Sequence, residues 1–373
     1  MLLCAFGAWG QVPKEGIPGT CTKEGAAALG GTWIPRTDNL GELAFRKLSP
    51  AERQRLAGKA AAALDILRRA YPAPKGHDVW FNRSAARVIE PTLPSHINAN
   101  LIFMEYRCFS DYRGAGPRLI PEIASDAWVT IDFNTLGAAM TNPLPDGYML
   151  PGGLPMYQAE ARLEGDFRGV PVLRGARDKN VTMLYIASRR ELPLSTVSRE
   201  DFLRVHGTYW LGKIREELAD AEKGVAGATQ RLAELAQRRG AAAKDADRWR
   251  QVALEQQRDF EKKAEAVRAK MAEVSRRNEA QLLALAPAER KSPAAFRALN
   301  RYQYEEVRFE AGPGILPVVV ADDDFHQPRP DRAAVQYLTV FWRRVPSSAV
   351  KEAAMNELLG KIDFGALRAL LDR

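Results

Sequence analysis

Residues 198–285 read SRE DFLRVHGTYW LGKIREELAD AEKGVAGATQ RLAELAQRRG AAAKDADRWR QVALEQQRDF EKKAEAVRAK MAEVSRRNEA QLLAL. By pattern this is almost unbroken helix. Ser198 is a good N-cap, and Glu200 and Asp201 put acids in the first turn, where the helix dipole favours them. No proline occurs before Pro287, and the breakers within are Gly207, Gly212, Gly224, Gly227 and Gly240. Leu211, Ile214, Leu218, Ala221 and Val225 recur three or four apart. So do Leu232, Leu235 and Ala236, and later Phe260, Ala264, Val267, Met271 and Val274. That is one apolar stripe with charge on the other faces, the pattern of a coiled coil. A single helix of this length would reach roughly 130 Å. A hairpin turning at Arg239-Gly240-Ala241 lets each arm bury its stripe on the other. The stripe is rich in alanine, which predicts close, shallow packing.

On either side the chain reads differently. Residues 11–39 are glycine-rich and polar and read as coil. Ser49-Pro50-Ala51-Glu52 opens a helix with a good cap, a proline at the first position and an acid in the first turn. Pro72 and Pro74 end it. Strands are expected at Arg87–Glu90, Leu101–Phe109 and Trp128–Phe133, and turns at Asn142–Gly147 and Pro151–Pro155. A weak repeat follows. Leu163 to Leu173 and then Val181–Arg190 are echoed by Phe309 to Val319 and then Val335–Arg344, and helices starting near Ser198 and Ser347 follow the two copies. The expectation is therefore an α+β protein in which a long helical hairpin separates two antiparallel β-rich modules. Its divisions would be 1–10 (the end of a signal peptide), 11–197 (an α+β domain), 198–285 (the hairpin) and 286–373 (a C-terminal β-rich module).

The chain has 373 residues, 46% apolar and 27% charged, as in an ordinary folded protein. No apolar run approaches the length that spans a bilayer. The net charge is +8, but residues 198–285 carry 18 basic and 15 acidic side chains. The excess is thus spread thinly, and nucleic acid is not an expected partner. Leu2–Gly10 is apolar and ends in small residues, like the back half of a secretory signal. That suggests a periplasmic or secreted protein, with a cytoplasmic one as the alternative. Removal of the segment would take Cys4 and leave Cys21 and Cys108. In an oxidising compartment these are a candidate disulfide; otherwise they are two separate thiols.

Chemistry is sparse. The sharpest polar cluster is Asp322-Asp323-Asp324-Phe325-His326, after a strand at Leu316–Ala321. Asp322, Asp324 and His326 could hold a divalent metal or supply a base, although the spacing lacks the pattern of a calcium loop and a solvated acidic turn is the better reading. His77, His96 and His206 fall in no catalytic motif, and the loop Pro151–Pro155 does not lead into a helix as phosphate-cradling loops do. Trp80, Phe81, Trp128, Trp210 and Trp342 read as core. No cofactor is expected. The leading reading is a non-enzymatic exported protein that uses residues 198–285 to bind a protein partner or itself. The rival is a metal-dependent hydrolase built on 322–326.

Overall fold

The computed structural model describes residues 21–41, 48–85, 94–109, 117–136, 142–145, 147–159, 161–174, 180–189, 191–237, 243–297, 307–322, 325 and 332–372. The fold is α+β, with a long helical hairpin between β-rich regions. The chain forms two compact units. One comprises Met1–Asn142, Ala159–Leu194 and Ala321–Arg373, and the other Pro143–Gln158 and Ser195–Val320.

The first unit is built on a nine-stranded sheet. Its order is Trp33–Pro35, His77–Ala85, Ile97–Phe109, Trp128–Phe133, Tyr337–Arg343, Val181–Ala187, Val170–Arg174, Arg162–Phe167, with Arg118–Pro121 paired to the end of Ile97–Phe109. Among the described strands of this sheet, only Trp33–Pro35 runs parallel to its neighbour. Alternation sets the two faces of the sheet. Ile97, Ala99, Leu101, Phe103, Val129, Ile131, Phe133, Leu338, Val340 and Trp342 point to one side and form a single core with the helices Pro50–Ala70, Ala349–Lys361 and Phe364–Arg368. The first of these helices starts as its sequence predicts. Ser49 and Glu52 make a reciprocal capping box, and Leu56, Ala60, Leu64 and Leu67 are buried.

The strands Val181–Ala187 and Tyr337–Arg343, which carry the echoed segments, are hydrogen-bonded neighbours over seven residue pairs, from Val181 opposite Arg343 to Ala187 opposite Tyr337. The earlier halves of the echo part company. Val170–Arg174 joins this sheet, whereas Leu316–Ala321 belongs to the small sheet of the other unit. Residues 286–373 are accordingly divided between the units, because their last strand completes the middle of the large sheet. The N-terminal segment expected as coil contains a helix, Lys23–Ala28, capped by Thr22, and the parallel strand Trp33–Pro35. A six-residue helix and a three-residue strand leave too little periodicity to read. The strand expected at Arg87–Glu90 lies outside the described residues.

The second unit has a small sheet in the order Leu194–Thr196, Leu316–Ala321, Tyr157–Gln158, Asn142–Pro143, with Ala295–Phe296 on Leu316–Ala321. Phe202, Leu203, Tyr148, Met156, Phe296 and Val318 form its core. From it run the helices Arg199–Ala236 and Ala243–Ala284. The expected turn falls between them, outside the described residues. The longer arm spans about 60 Å at helical rise. The two arms pack on each other through positions seven apart: Ile214, Ala221, Ala228 and Leu235 on one, Ala246, Ala253, Val267 and Val274 on the other, all buried. Phe260 occupies the remaining heptad place and sits against Gly224, where an added Cβ would lie 2.4 Å from the ring. Gly224→Val is therefore expected to destabilise the hairpin by about 2 kcal/mol through overpacking. The loss should be smaller in a Phe260→Ala background than in the wild type, measured by thermal unfolding of helical circular dichroism.

Candidate functional site

The hairpin satisfies its own seam. Arg268 pairs with Glu222 at 2.7 Å and Lys270 with Glu217 at 3.1 Å across the arms. Arg250 Nη2 donates to the Leu235 carbonyl at 3.2 Å, closing the seam near the turn. What the packing leaves exposed on the second arm is Trp249, 55% exposed, and Leu254, 42% exposed, toward the turn end, and Leu283, 70% exposed, at the opposite end. The Trp249 ring is only partly covered, on a helix whose buried seam runs through Ala246 and Ala253. Residues of this kind carry binding energy at protein interfaces.

A second feature lies on the large sheet, on the face opposite its helices. Register places Ser84, Asn98, Asp132, Thr339 and Tyr185 side by side across five strands, with Asn82, Asn100, Thr130 and Phe341 in the adjoining row. The polar groups form one directional chain. Thr130 Oγ1 donates to Asn100 Oδ1 at 3.1 Å, and Asn100 Nδ2 donates to Ser84 Oγ at 3.0 Å. Ser84 Oγ donates to Asn98 Oδ1 at 3.4 Å, and Asn98 Nδ2 donates to Asp132 Oδ1 at 2.7 Å. Asp132 is 4% exposed. Burial raises its pKa to about 7, against the opposing pull of the Asn98 amide. The alternation Trp128-Val129-Thr130-Ile131-Asp132-Phe133 already puts Thr130 and Asp132 on one face, as Ile97-Asn98-Ala99-Asn100-Leu101 does for its asparagines. That the two faces coincide depends on register, which neither segment carries.

The residues singled out by sequence are dispersed. Asp322 Oδ1 accepts from the backbone N–H of Phe325 at 3.4 Å, the geometry of an acidic turn. Phe325 is buried against Tyr337 and lies beneath the Arg189 guanidinium. Asp323, Asp324 and His326 lie outside the described residues. Among the described residues no group of three His, Cys, Asp or Glu side chains is placed to hold a metal. His77 is fully buried, stacked on Tyr71, and its Nδ1 faces the Lys75 carbonyl at 2.8 Å; burial lowers its pKa to about 4. Burial likewise lowers His96 to about 4. His206 Nδ1 lies 2.7 Å from the Tyr148 hydroxyl in the core of the second unit. Trp210 and Trp342 are buried, and Trp80 and Trp128 are partly exposed. Gly152 and Gly153, both at positive φ, make the exposed turn of a two-stranded ribbon, Met149–Leu150 with Leu154–Pro155.

Cys21 and Cys108 are joined as a disulfide, with Cα atoms 5.2 Å apart. The bridge ties the segment before Lys23–Ala28 to the end of strand Ile97–Phe109, closing a separation of 87 residues. Among the described residues no helix is long and apolar enough to cross a membrane. The chain matches no protein-family model, no curated protein and no solved structure.

Proposed function

We propose that this is a non-enzymatic exported protein whose antiparallel coiled-coil hairpin presents Trp249 and Leu254 to a protein partner. The observation that carries the reading is the exposure of those two side chains on an arm whose seam is already filled. The even mixture of charges around them favours a protein surface over a polyanion, which selects for clustered basic side chains.

The test compares the wild-type chain with Trp249→Ala/Leu254→Ser, and with a chain lacking residues 218–271, in cross-linking and size measurements on the native host's envelope fraction. The wild type is expected to appear in a larger cross-linked species that both variants lose while unit one still unfolds cooperatively. The same species in all three chains would sink the proposal. A larger species composed only of this chain would identify the partner as a second copy.

Export is supported by the Cys21–Cys108 bridge, since such bonds persist in oxidising compartments. Protein taken from its native host without reductant is expected to show no free thiol at either position. Two alkylatable thiols would instead place it in the cytoplasm.

A further inference from the structure

We propose that Asp132 and the amide–hydroxyl chain leading to it form a two-state proton switch, in which protonation of Asp132 reverses the direction of each hydrogen bond back to Thr130. The chain has the composition such a reversal requires. Each internal member, Asn98, Ser84 and Asn100, both donates and accepts within it. A carboxylate can only accept, so ionised Asp132 demands the Asn98 Nδ2 and thereby fixes every link behind it. When a solvent proton binds the carboxyl, Asp132 gains an O–H donor. The Asn98 amide can then turn its oxygen to that donor and its Nδ2 to Ser84. The Ser84 hydroxyl rotates toward Asn100, whose amide turns in the same sense and donates to Thr130. No covalent bond other than the carboxyl O–H is made.

The switch has an outlet. Asn100 Nδ2 also donates to Asn82 Oδ1 at 3.2 Å, and Asn82 Nδ2 donates to the Thr37 carbonyl at 3.4 Å. If Asn100 turns, Asn82 turns with it and withdraws its donor from Thr37. The segment Trp33–Asn39 is otherwise held to strand His77–Ala85 by backbone bonds and by Asp38 with Arg83.

The charged surroundings leave Asp132 free to titrate. Among the described residues, the ionisable groups on this face include Tyr185 beyond Thr339, Tyr337, and Arg343, which lies 3.9 Å from Asp126. Further along the strands are Asp78 and Tyr106, hydrogen-bonded to each other at 2.6 Å, and Arg36 over the Trp80 ring, while His96 immediately precedes the strand that carries Asn98. Arg189 and Asp322 belong to the segments that seat Phe325 on Tyr337. His96 is neutral near pH 7 and Tyr185 is held protonated, its hydroxyl donating to the Glu191 carbonyl at 3.0 Å. Desolvation therefore dominates, and Asp132 titrates near neutrality.

The test is a pH titration, from 5 to 8.5, of the full chain carrying 13C-labelled aspartate and 15N-labelled asparagine side chains. The Asp132 carboxyl carbon and the Asn98, Asn100 and Asn82 amide signals are expected to move together with one midpoint, and Asp132→Asn should abolish the amide movement. An Asp132 midpoint below pH 5 overturns the proposal. So do amide signals that stay fixed while Asp132 titrates, or that still titrate in Asp132→Asn. The wild-type titration decides the matter alone should the variant fold poorly.

Discussion

Replacing Lys351 with methionine is expected to lower the unfolding free energy by about 3 kcal/mol, the effect of breaking a buried ion pair from one side. The Lys351 side chain is 2% exposed although it carries a charge, and Nζ lies 2.6 Å from Glu122 Oε1 and 3.3 Å from Asp126 Oδ1. Glu122 is almost as deeply buried, at 5%, and its Oε1 also accepts from the Glu105 N–H. Its remaining cationic partner, Arg107, is 59% exposed and screened by water. The pair fastens helix Ala349–Lys361 at its first turns, where Ser348 Oγ also donates to Glu105 Oε2 at 2.9 Å. Urea unfolding of the variant should show the loss. Adding Glu122→Gln should recover more than half of it, because the orphaned charge is then gone. A loss under about 1 kcal/mol would mean that Arg107 suffices to hold Glu122.

The second large effect is one of pH. Burial raises Asp132 from 3.8 when unfolded to about 7 in the fold. Between those values the folded chain holds a proton that the unfolded chain has released, so stability falls as pH rises. The contribution is fully present below pH 3.8 and fully lost above about pH 7. At 1.36 kcal/mol per unit the whole effect is about 4 kcal/mol. Asp132→Asn keeps an oxygen to accept from Asn98 and carries no charge. The variant is therefore expected to gain about 4 kcal/mol on the wild type between pH 4 and pH 8, read as the difference of their unfolding curves across that range. Parallel curves would mean that the carboxyl is hydrated in the fold.

The elements governed by neighbours in sequence could be read from it. Ser49, Ser198 and the prolines mark helix boundaries through local hydrogen bonds and ring geometry, and the helices begin at Pro50 and Arg199. The strand Trp128–Phe133 and the heptad run from Ile214 to Val274 follow from side-chain period alone. What depends on distant partners could not. The place of Tyr337–Arg343 between Trp128–Phe133 and Val181–Ala187 is fixed by pairings across 150 residues or more. Asp132 carries no signal in the sequence, because a lone aspartate in a strand is ordinary until register sets Asn98 beside it. The Asp322 cluster was conspicuous for the opposite reason, its charges being contiguous in sequence while the side chain of Asp322 caps a turn.

The position of Tyr337–Arg343 also bears on synthesis. The strand that joins the two halves of the large sheet is the last to leave the ribosome, after both of its neighbours and the whole helical arm. Until then Trp128–Phe133 and Val181–Ala187 each present an unpaired edge, the kind of surface on which nascent chains aggregate. Cotranslational folding of this sheet must therefore stall at two incomplete halves. A chain kept unfolded during translation and released whole would meet no such stage.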